Sequence, residues 1–228
     1  LKISGYLGFS LIDYPGIPSF VIFTQGCNFK CPFCHNPELI SQKKKGQYSE
    51  EFILEEIDRR RKLIKGVVIT GGEPTLQENL PSFLFKIKKK RLLIKLDTNG
   101  SNPKMLIEII KSNLVDYVAM DFKTSPSKYH KAIGLTENET KKYLKNIFES
   151  LKILRENKIK FEIRTTVVPE IVEEEDLIEI RKIIGENTLY FLQPFKNDKT
   201  LSYEFKNKNP YPEEMLEKYS ATIKSKLR

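Results

Sequence analysis

Apolar residues recur along this chain in two alternating patterns. Short runs rich in β-formers stand at 20–24 (FVIFT), 67–70 (VVIT), 92–96 (LLIKL), 117–120 (YVAM), 161–168 (FEIRTTVV) and 189–192 (LYFL). Runs of this length and composition predict buried parallel strands. Between them, apolar residues repeat at helical spacing. Ser49 predicts the cap of a helix to about 62, with Phe52, Ile53 and Ile57 on one face. Phe83, Leu84 and Ile87 mark a helix at 80–90, and Asn102-Pro103 opens one to about 112. Thr136 and Glu139 form a capping box ahead of Tyr143, Leu144, Ile147, Phe148, Leu151 and Leu154. Further helices are expected at 173–184 and 212–227. The first residues read as a hairpin or irregular lead-in, with a turn at Asp13-Tyr14-Pro15-Gly16.

Six strands alternating with six helices imply parallel pairing with right-handed crossovers. Six units are two short of a closed eight-unit barrel. The expected fold is therefore α/β: an open, partial (β/α)6 barrel with an N-terminal lead-in and a C-terminal helix. One domain is expected over 1–228.

Composition adds limits. The 228 residues are 39% hydrophobic and 30% charged, as in soluble globular chains. No apolar run approaches the roughly 20 residues of a membrane helix. The N-terminus lacks the basic, apolar and small-residue segments of a signal peptide, so a cytoplasmic location is expected. The net charge of +9 gathers in runs such as Lys43-Lys44-Lys45 and Lys88-Lys89-Lys90-Arg91. Nucleic-acid binding is the weaker reading, because no aromatics interleave the runs and no recognition motif accompanies them. Solvated helix faces explain the runs more simply, and an acidic protein partner is a third reading.

Candidate chemistry gathers where the predicted strands end. The only cysteines, Cys27, Cys31 and Cys34, follow a C-x3-C-x2-C spacing. Their odd number and tight spacing exclude a disulfide framework and point to metal. Zinc with His35 as fourth ligand is one reading. An iron–sulfur cluster with one iron free of cysteine is the other and is favoured, since adjacent Cys34 and His35 are hard to aim at one tetrahedral ion. Gly71-Gly72-Glu73-Pro74 follows the second strand. Its glycines allow close backbone approach, and Glu73 offers a carboxylate to an ammonium group. Asp97-Thr98-Asn99 ends the third strand, and Asp121 and Lys123 follow the fourth. Arg164 lies in the fifth, and Gln193 ends the sixth. In parallel (β/α) folds the working site lies at these ends. His130 reads as a surface residue.

The cysteine spacing, with Phe33 before the last cysteine, resembles the signature of the radical S-adenosylmethionine (SAM) superfamily. Gly71-Gly72-Glu73-Pro74 is similar to its second motif. Within it, Asp13-Tyr14-Pro15-Gly16, Gln25-Gly26-Cys27-Asn28-Phe29, Cys34-His35-Asn36-Pro37, Asp121-Phe122-Lys123 and Arg164-Thr165-Thr166 resemble activating enzymes of glycyl-radical enzymes. The anaerobic ribonucleoside-triphosphate reductase activators are most similar, followed by those of pyruvate formate-lyase.

The resemblance implies a radical SAM barrel in which Cys27, Cys31 and Cys34 ligate a [4Fe-4S] cluster and SAM chelates the fourth iron. It implies that Phe33, Cys34 and His35 line the adenine, that Gly71, Gly72 and Glu73 receive the methionine amino group, and that Asp121 and Lys123 hold the ribose and carboxylate end. It further implies a monovalent-cation site at Asp97, Thr98 and Asp121. Asp13, His35 and Arg164 would face the partner's glycine loop. The implied reaction is reductive cleavage of SAM and removal of a hydrogen atom from a backbone glycine of an anaerobic ribonucleotide reductase. A flavodoxin- or ferredoxin-type protein would supply the electron. One departure stands out: the lyase type carries a histidine after the last strand, where this chain has Gln193-Pro194-Phe195. A different glycyl-radical partner, a small-molecule radical SAM enzyme and a zinc-binding nucleic-acid module are the alternatives.

Overall fold

The computed structural model describes residues 1–228. In chain order its elements are β1 (Ile3–Ser10), β2 (Ser19–Thr24), α1 (Glu50–Arg59), β3 (Gly66–Gly71), α2 (Leu80–Lys88), β4 (Leu93–Thr98), α3 (Pro103–Lys111) and β5 (Tyr117–Asp121). There follow α4 (Tyr129–Ile133), α5 (Glu137–Glu156), β6 (Lys160–Val167), α6 (Glu174–Ile184), β7 (Tyr190–Pro194), α7 (Tyr203–Lys206), α8 (Glu213–Thr222) and β8 (Lys226–Leu227).

All eight strands form one sheet in sequence order. β2 to β8 run parallel, and β1 returns antiparallel along β2. Because β1 and β8 do not pair, the barrel is open on that side, as the six-unit count implied. The local signals work as read: the Ser49 hydroxyl accepts from Phe52 N at 3.1 Å, and Thr136 and Glu139 form a reciprocal cap.

Period-two alternation sorts the strand residues onto two faces. Val67 and Ile69, Ile94 and Leu96, Val118 and Met120 join Leu84, Ile109, Ile147 and Ile180 in the main core between sheet and helices. Burying each such side chain contributes roughly 1.5–3 kcal/mol. Tyr14, Val21, Val68 and Tyr117 form a smaller apolar cluster apart from that core. The residues that alternate with the core positions include Lys95, Asp97, Asp121, Glu162 and Arg164. A barrel lined with charge in this way has a polar interior.

Of the two readings of the lead-in, the hairpin is the one formed: β1 pairs antiparallel with β2 across the turn that contains Tyr14. One expectation needs correction. The last helix stops at Thr222 rather than near 227, because Lys224 turns the chain at φ 50° and residues 226–227 join the sheet. The short α7 lies between β7 and α8. No helix is long and apolar enough to cross a membrane.

Candidate active site

The C-terminal ends of the parallel strands enclose a pocket of about 230 Å³. The cysteine loop forms one wall through Cys27, Cys31, Phe33, Cys34 and His35. Gly71, Gly72 and Glu73 border it from β3, and Asp97, Asp121, Lys123, Arg164 and Gln193 from the later strands. A larger cavity of about 720 Å³ opens at the opposite end of the strands, by Tyr14, Leu93 and Lys160, and holds none of these groups.

Backbone contacts hold the cysteine loop at both ends. Gly26 N donates to Leu39 O at 2.7 Å, Cys27 N to Ile40 O at 3.0 Å and Lys30 N to Ile133 O at 2.9 Å. Asn28 donates through Nδ2 to Ser101 Oγ at 2.8 Å and accepts on Oδ1 from Asn99 Nδ2 at 3.0 Å. The loop is thus tied to the end of β4 as well as to its own flanks. Cys31 is buried, and Cys27 and Cys34 are half-buried. Burial pushes the Cys27 and Cys31 thiols up to about 12, and Lys123 is the one nearby cation that opposes this for both. Burial outweighs that cation, so the unligated thiols are poor nucleophiles.

The donor set fits a cluster better than a single ion. No three His, Cys, Asp or Glu side chains are placed to share one metal ion. The mononuclear Cys27, Cys31, Cys34 and His35 arrangement that zinc needs is therefore not formed. A four-iron cluster takes one thiolate per iron and so spreads its ligands.

The glycine motif is a structural joint. Gly71 sits at φ +122°, and a Cβ there would lie 2.2 Å from Thr24 N. At Gly72 a Cβ would lie 2.1 Å from Gly26 O. Gly72 N donates to Thr24 O at 3.0 Å and Glu73 N to Gly26 O at 2.8 Å, so the motif fastens the residue that precedes Cys27. Two stretches far apart in sequence thereby become one wall.

Glu73 corrects an expectation. Its carboxylate turns into the protein, where the residue is 1% exposed. Oε1 accepts from Thr75 N at 3.1 Å, Thr75 Oγ1 at 2.5 Å and Thr98 Oγ1 at 2.7 Å, and Oε2 accepts from Asn99 N at 2.7 Å. Three donors on Oε1 and one on Oε2 tie this buried carboxylate to Thr75 and to the end of β4. Glu73 borders the pocket as scaffold.

The pocket floor is a chain of alternating charges. Lys95 pairs with Asp97, and Arg164 Nη1 reaches Asp97 Oδ2 at 3.2 Å. Arg164 Nε meets Asp121 Oδ1 at 2.9 Å, and Lys123 Nζ meets Asp121 Oδ2 at 2.7 Å. Burial alone would push the Asp97 and Asp121 carboxyls up, but Arg164 outweighs it, with help from Lys95 and Lys123 respectively, and both lie below the usual carboxylate range. At the residues of the expected monovalent-cation site, Arg164 bridges the Asp97 and Asp121 carboxylates and the Thr98 hydroxyl donates to Glu73.

Two more placements matter. His35 lines the pocket with its ring 6.3 Å from that of Phe195, and burial lowers its pKa. Asp13 is absent from the pocket and stands in the β1–β2 turn, at the far end of the strands, with its carboxylate accepting from Ser10 Oγ at 2.5 Å. Its expected place against a glycine loop is corrected. Thr70 and Thr166 also line the pocket, although the sequence did not point to them. Thr70 follows Val68 by two and Thr166 follows Arg164 by two, so the alternation of their strands held the signal.

The model of the radical SAM superfamily matches residues 21–182. The chain belongs to the radical SAM superfamily. As a radical SAM enzyme it works with that family's cofactors, a [4Fe-4S] cluster and SAM. It is 39% identical over 214 residues to "Putative glycyl-radical enzyme activating enzyme MJ1227" of Methanocaldococcus jannaschii, covering 93% of this chain and 87% of that one. It is 31% identical over 204 residues to the pyruvate formate-lyase-activating enzyme of Streptococcus mutans, covering 82% and 73%. Among solved structures, Streptococcus suis SuiB bound to SAM aligns with a TM-score of 0.70 at 18% identity, over 91% of this radical SAM chain. The alignment spans about half of SuiB, 49% of its length, and at that identity speaks for the fold alone.

Proposed function

We propose that this protein is a radical SAM activase that removes a hydrogen atom from a backbone glycine of a glycyl-radical enzyme, an anaerobic ribonucleotide reductase. The observation that carries the reading is the 39% identity, over nearly the whole chain, to a relative named for that class of activity. The whole of 1–228 is read as one radical SAM core.

The cluster and SAM, when bound, supply a carbon-centred radical by one-electron cleavage of SAM. The chain's own residues hold and shield. Cys27, Cys31 and Cys34 are the cluster ligands in this reading. Gly71 and Gly72 would border the methionine amino group as part of the pocket wall, their missing Cβ atoms making room for Thr24 and Gly26 behind them. Phe33, Cys34 and His35 form the adenine wall. Lys123 presents an ammonium group to a carboxylate, and Asp121 fixes its direction through the 2.7 Å pair. Arg164 positions Asp97 and Asp121 from below. His35, at the rim, is placed to meet the incoming glycine segment. A glycine segment seated over the pocket would exclude bulk water and so protect a reactive radical.

The reductase is preferred over the lyase as partner because Gln193, at the end of β7, lines the pocket where the lyase type carries its histidine. The test is glycyl-radical formation. The reconstituted protein, SAM and a reductant are incubated with purified anaerobic ribonucleotide reductase or with pyruvate formate-lyase, and each mixture is read by EPR. A glycyl doublet with the reductase is expected. SAM cleavage with no doublet on either protein would overturn the activase reading.

A further inference from the structure

One buried cation remains without a role. The apolar run at 92–96 holds a lysine near its middle, and of all the chain's lysines only Lys95 is buried. Ile94 and Leu96 face the main core, so strand alternation turns Lys95 and Asp97 to the barrel interior. The register sets Lys95 beside Val68 of β3 and Tyr117 of β5, both members of the smaller apolar cluster. Its stem therefore has apolar neighbours, and its ammonium group pairs with Asp97 Oδ1. A charge buried this deeply is costly, and an apolar side chain of similar size would serve packing as well or better. Packing gives no reason for a lysine here.

Its partners give the reason. Lys95 does not border the pocket; it stands behind Asp97, which does. Arg164 reaches from the other oxygen of Asp97, at 3.2 Å, to Asp121 Oδ1 at 2.9 Å, and Lys123 takes Asp121 Oδ2 at 2.7 Å. Each of the four carboxylate oxygens thus faces a fixed cation, and three cations stand against two carboxylates. The other buried acid of the interior, Glu162, is held by Arg228 Nη2 at 2.9 Å and by the Tyr117 hydroxyl at 2.7 Å. Lys95 is left to Asp97. Without it, Arg164 alone would face Asp97, which would draw the guanidinium away from Asp121. Asp121 would then hold Lys123 more closely and leave its ammonium group less free for a ligand carboxylate.

We propose that Lys95 is a positioning residue. Its ammonium group is the fixed cation that holds Asp97 and, through Arg164 and Asp121, sets how Lys123 meets SAM, so that the pocket floor works without an added monovalent cation. This rests on the proposed function for SAM as the ligand. A further cation would meet a floor whose fixed charges already sum to a positive value, and like charges repel most strongly where water is scarce.

The experiment compares the reconstituted wild type with K95M, which keeps the stem and removes the charge, and K95A, which leaves room for a small amine. SAM affinity is measured by anaerobic calorimetry in potassium or choline chloride, and iron per chain is counted. K95A is titrated with propylammonium and with propanol, a neutral molecule of similar shape. Wild-type affinity should be the same in both salts. K95M and K95A should hold the wild type's iron but bind SAM at least ~10-fold more weakly, as when an outer partner is removed from a binding site. Propylammonium should restore K95A and propanol should not; K95M, whose stem fills the space, should respond to neither. Cluster-free K95A should also melt higher with propylammonium and not with propanol, which reads the cation seat with no SAM present. If K95A does not fold, K95M decides alone. Wild-type SAM affinity in K95M, loss of its iron, equal rescue of K95A by propanol, or a wild type that needs potassium would each overturn the proposal. A wild type that binds no SAM or yields no glycyl radical would sink the proposed function instead, and the melting titration would still decide the cation seat.

Discussion

Glu73 offers the sharpest test of how the pocket is built. Substituting Gln keeps its shape and removes its charge. One oxygen becomes an amide NH2, which cannot accept. In either orientation of the amide, one backbone N–H, of Asn99 or of Thr75, loses its acceptor. Leaving one buried donor unsatisfied costs about 1–3 kcal/mol. For a chain of this size each kcal/mol lowers the melting temperature by roughly 2–4 °C, so the expected fall is roughly 2–12 °C. Glu73→Ala strands all four donors and should fall further. The assay is thermal unfolding of the cluster-free protein, followed by a SAM titration of the reconstituted protein. The loss should appear without any SAM present. A Glu73→Gln protein that melts like the wild type but binds SAM poorly would refute the reasoning and restore Glu73 as an ammonium acceptor.

Other outcomes follow from the same geometry. Gly72→Ala places a methyl group 2.1 Å from Gly26 O; with overpacking at about 1–3 kcal/mol, both a lower melting temperature and less iron per chain after reconstitution are expected. Asp97 and Asp121 are held below the usual carboxylate range, so their contribution to stability is complete above the unfolded value of about 3.9 and is lost as pH falls below it. Melting curves from pH 7 down to pH 3 should show that loss, and Arg164→Gln should weaken it while destabilising the protein by roughly 3–5 kcal/mol. Asp13→Ala should leave SAM affinity unchanged, because the side chain stands at the far end of the strands; a large loss of SAM binding would return it to the site.

Much of this was legible in the sequence because it rests on local rules. Strand and helix positions follow from period and caps, and the pocket wall follows from where the strands end. What escaped depends on contacts between distant residues. Glu73 reads as an open carboxylate until Thr75, Thr98 and Asn99 are seen to fill it. Asp97 and Asp121 carry no local mark that Arg164, Lys95 and Lys123 fall between and beside them. The turn at Asp13 carries no mark of which end of the barrel it occupies; only the antiparallel register of β1 against β2 decides that. The C-terminal helix read too long because Met215, Leu216, Tyr219 and Ile223 keep helical spacing right up to the turn, and nothing in the local pattern marks Lys224 as its end.

The most direct test of the central claim is EPR of the anaerobically reconstituted, reduced protein with and without SAM, alongside metal analysis and Cys31→Ala. The expected result is about four irons per chain, a reduced-cluster signal that changes when SAM is added, and loss of both iron and signal in Cys31→Ala. A colourless protein holding one zinc and no iron, or a cluster whose signal ignores SAM, would contradict it.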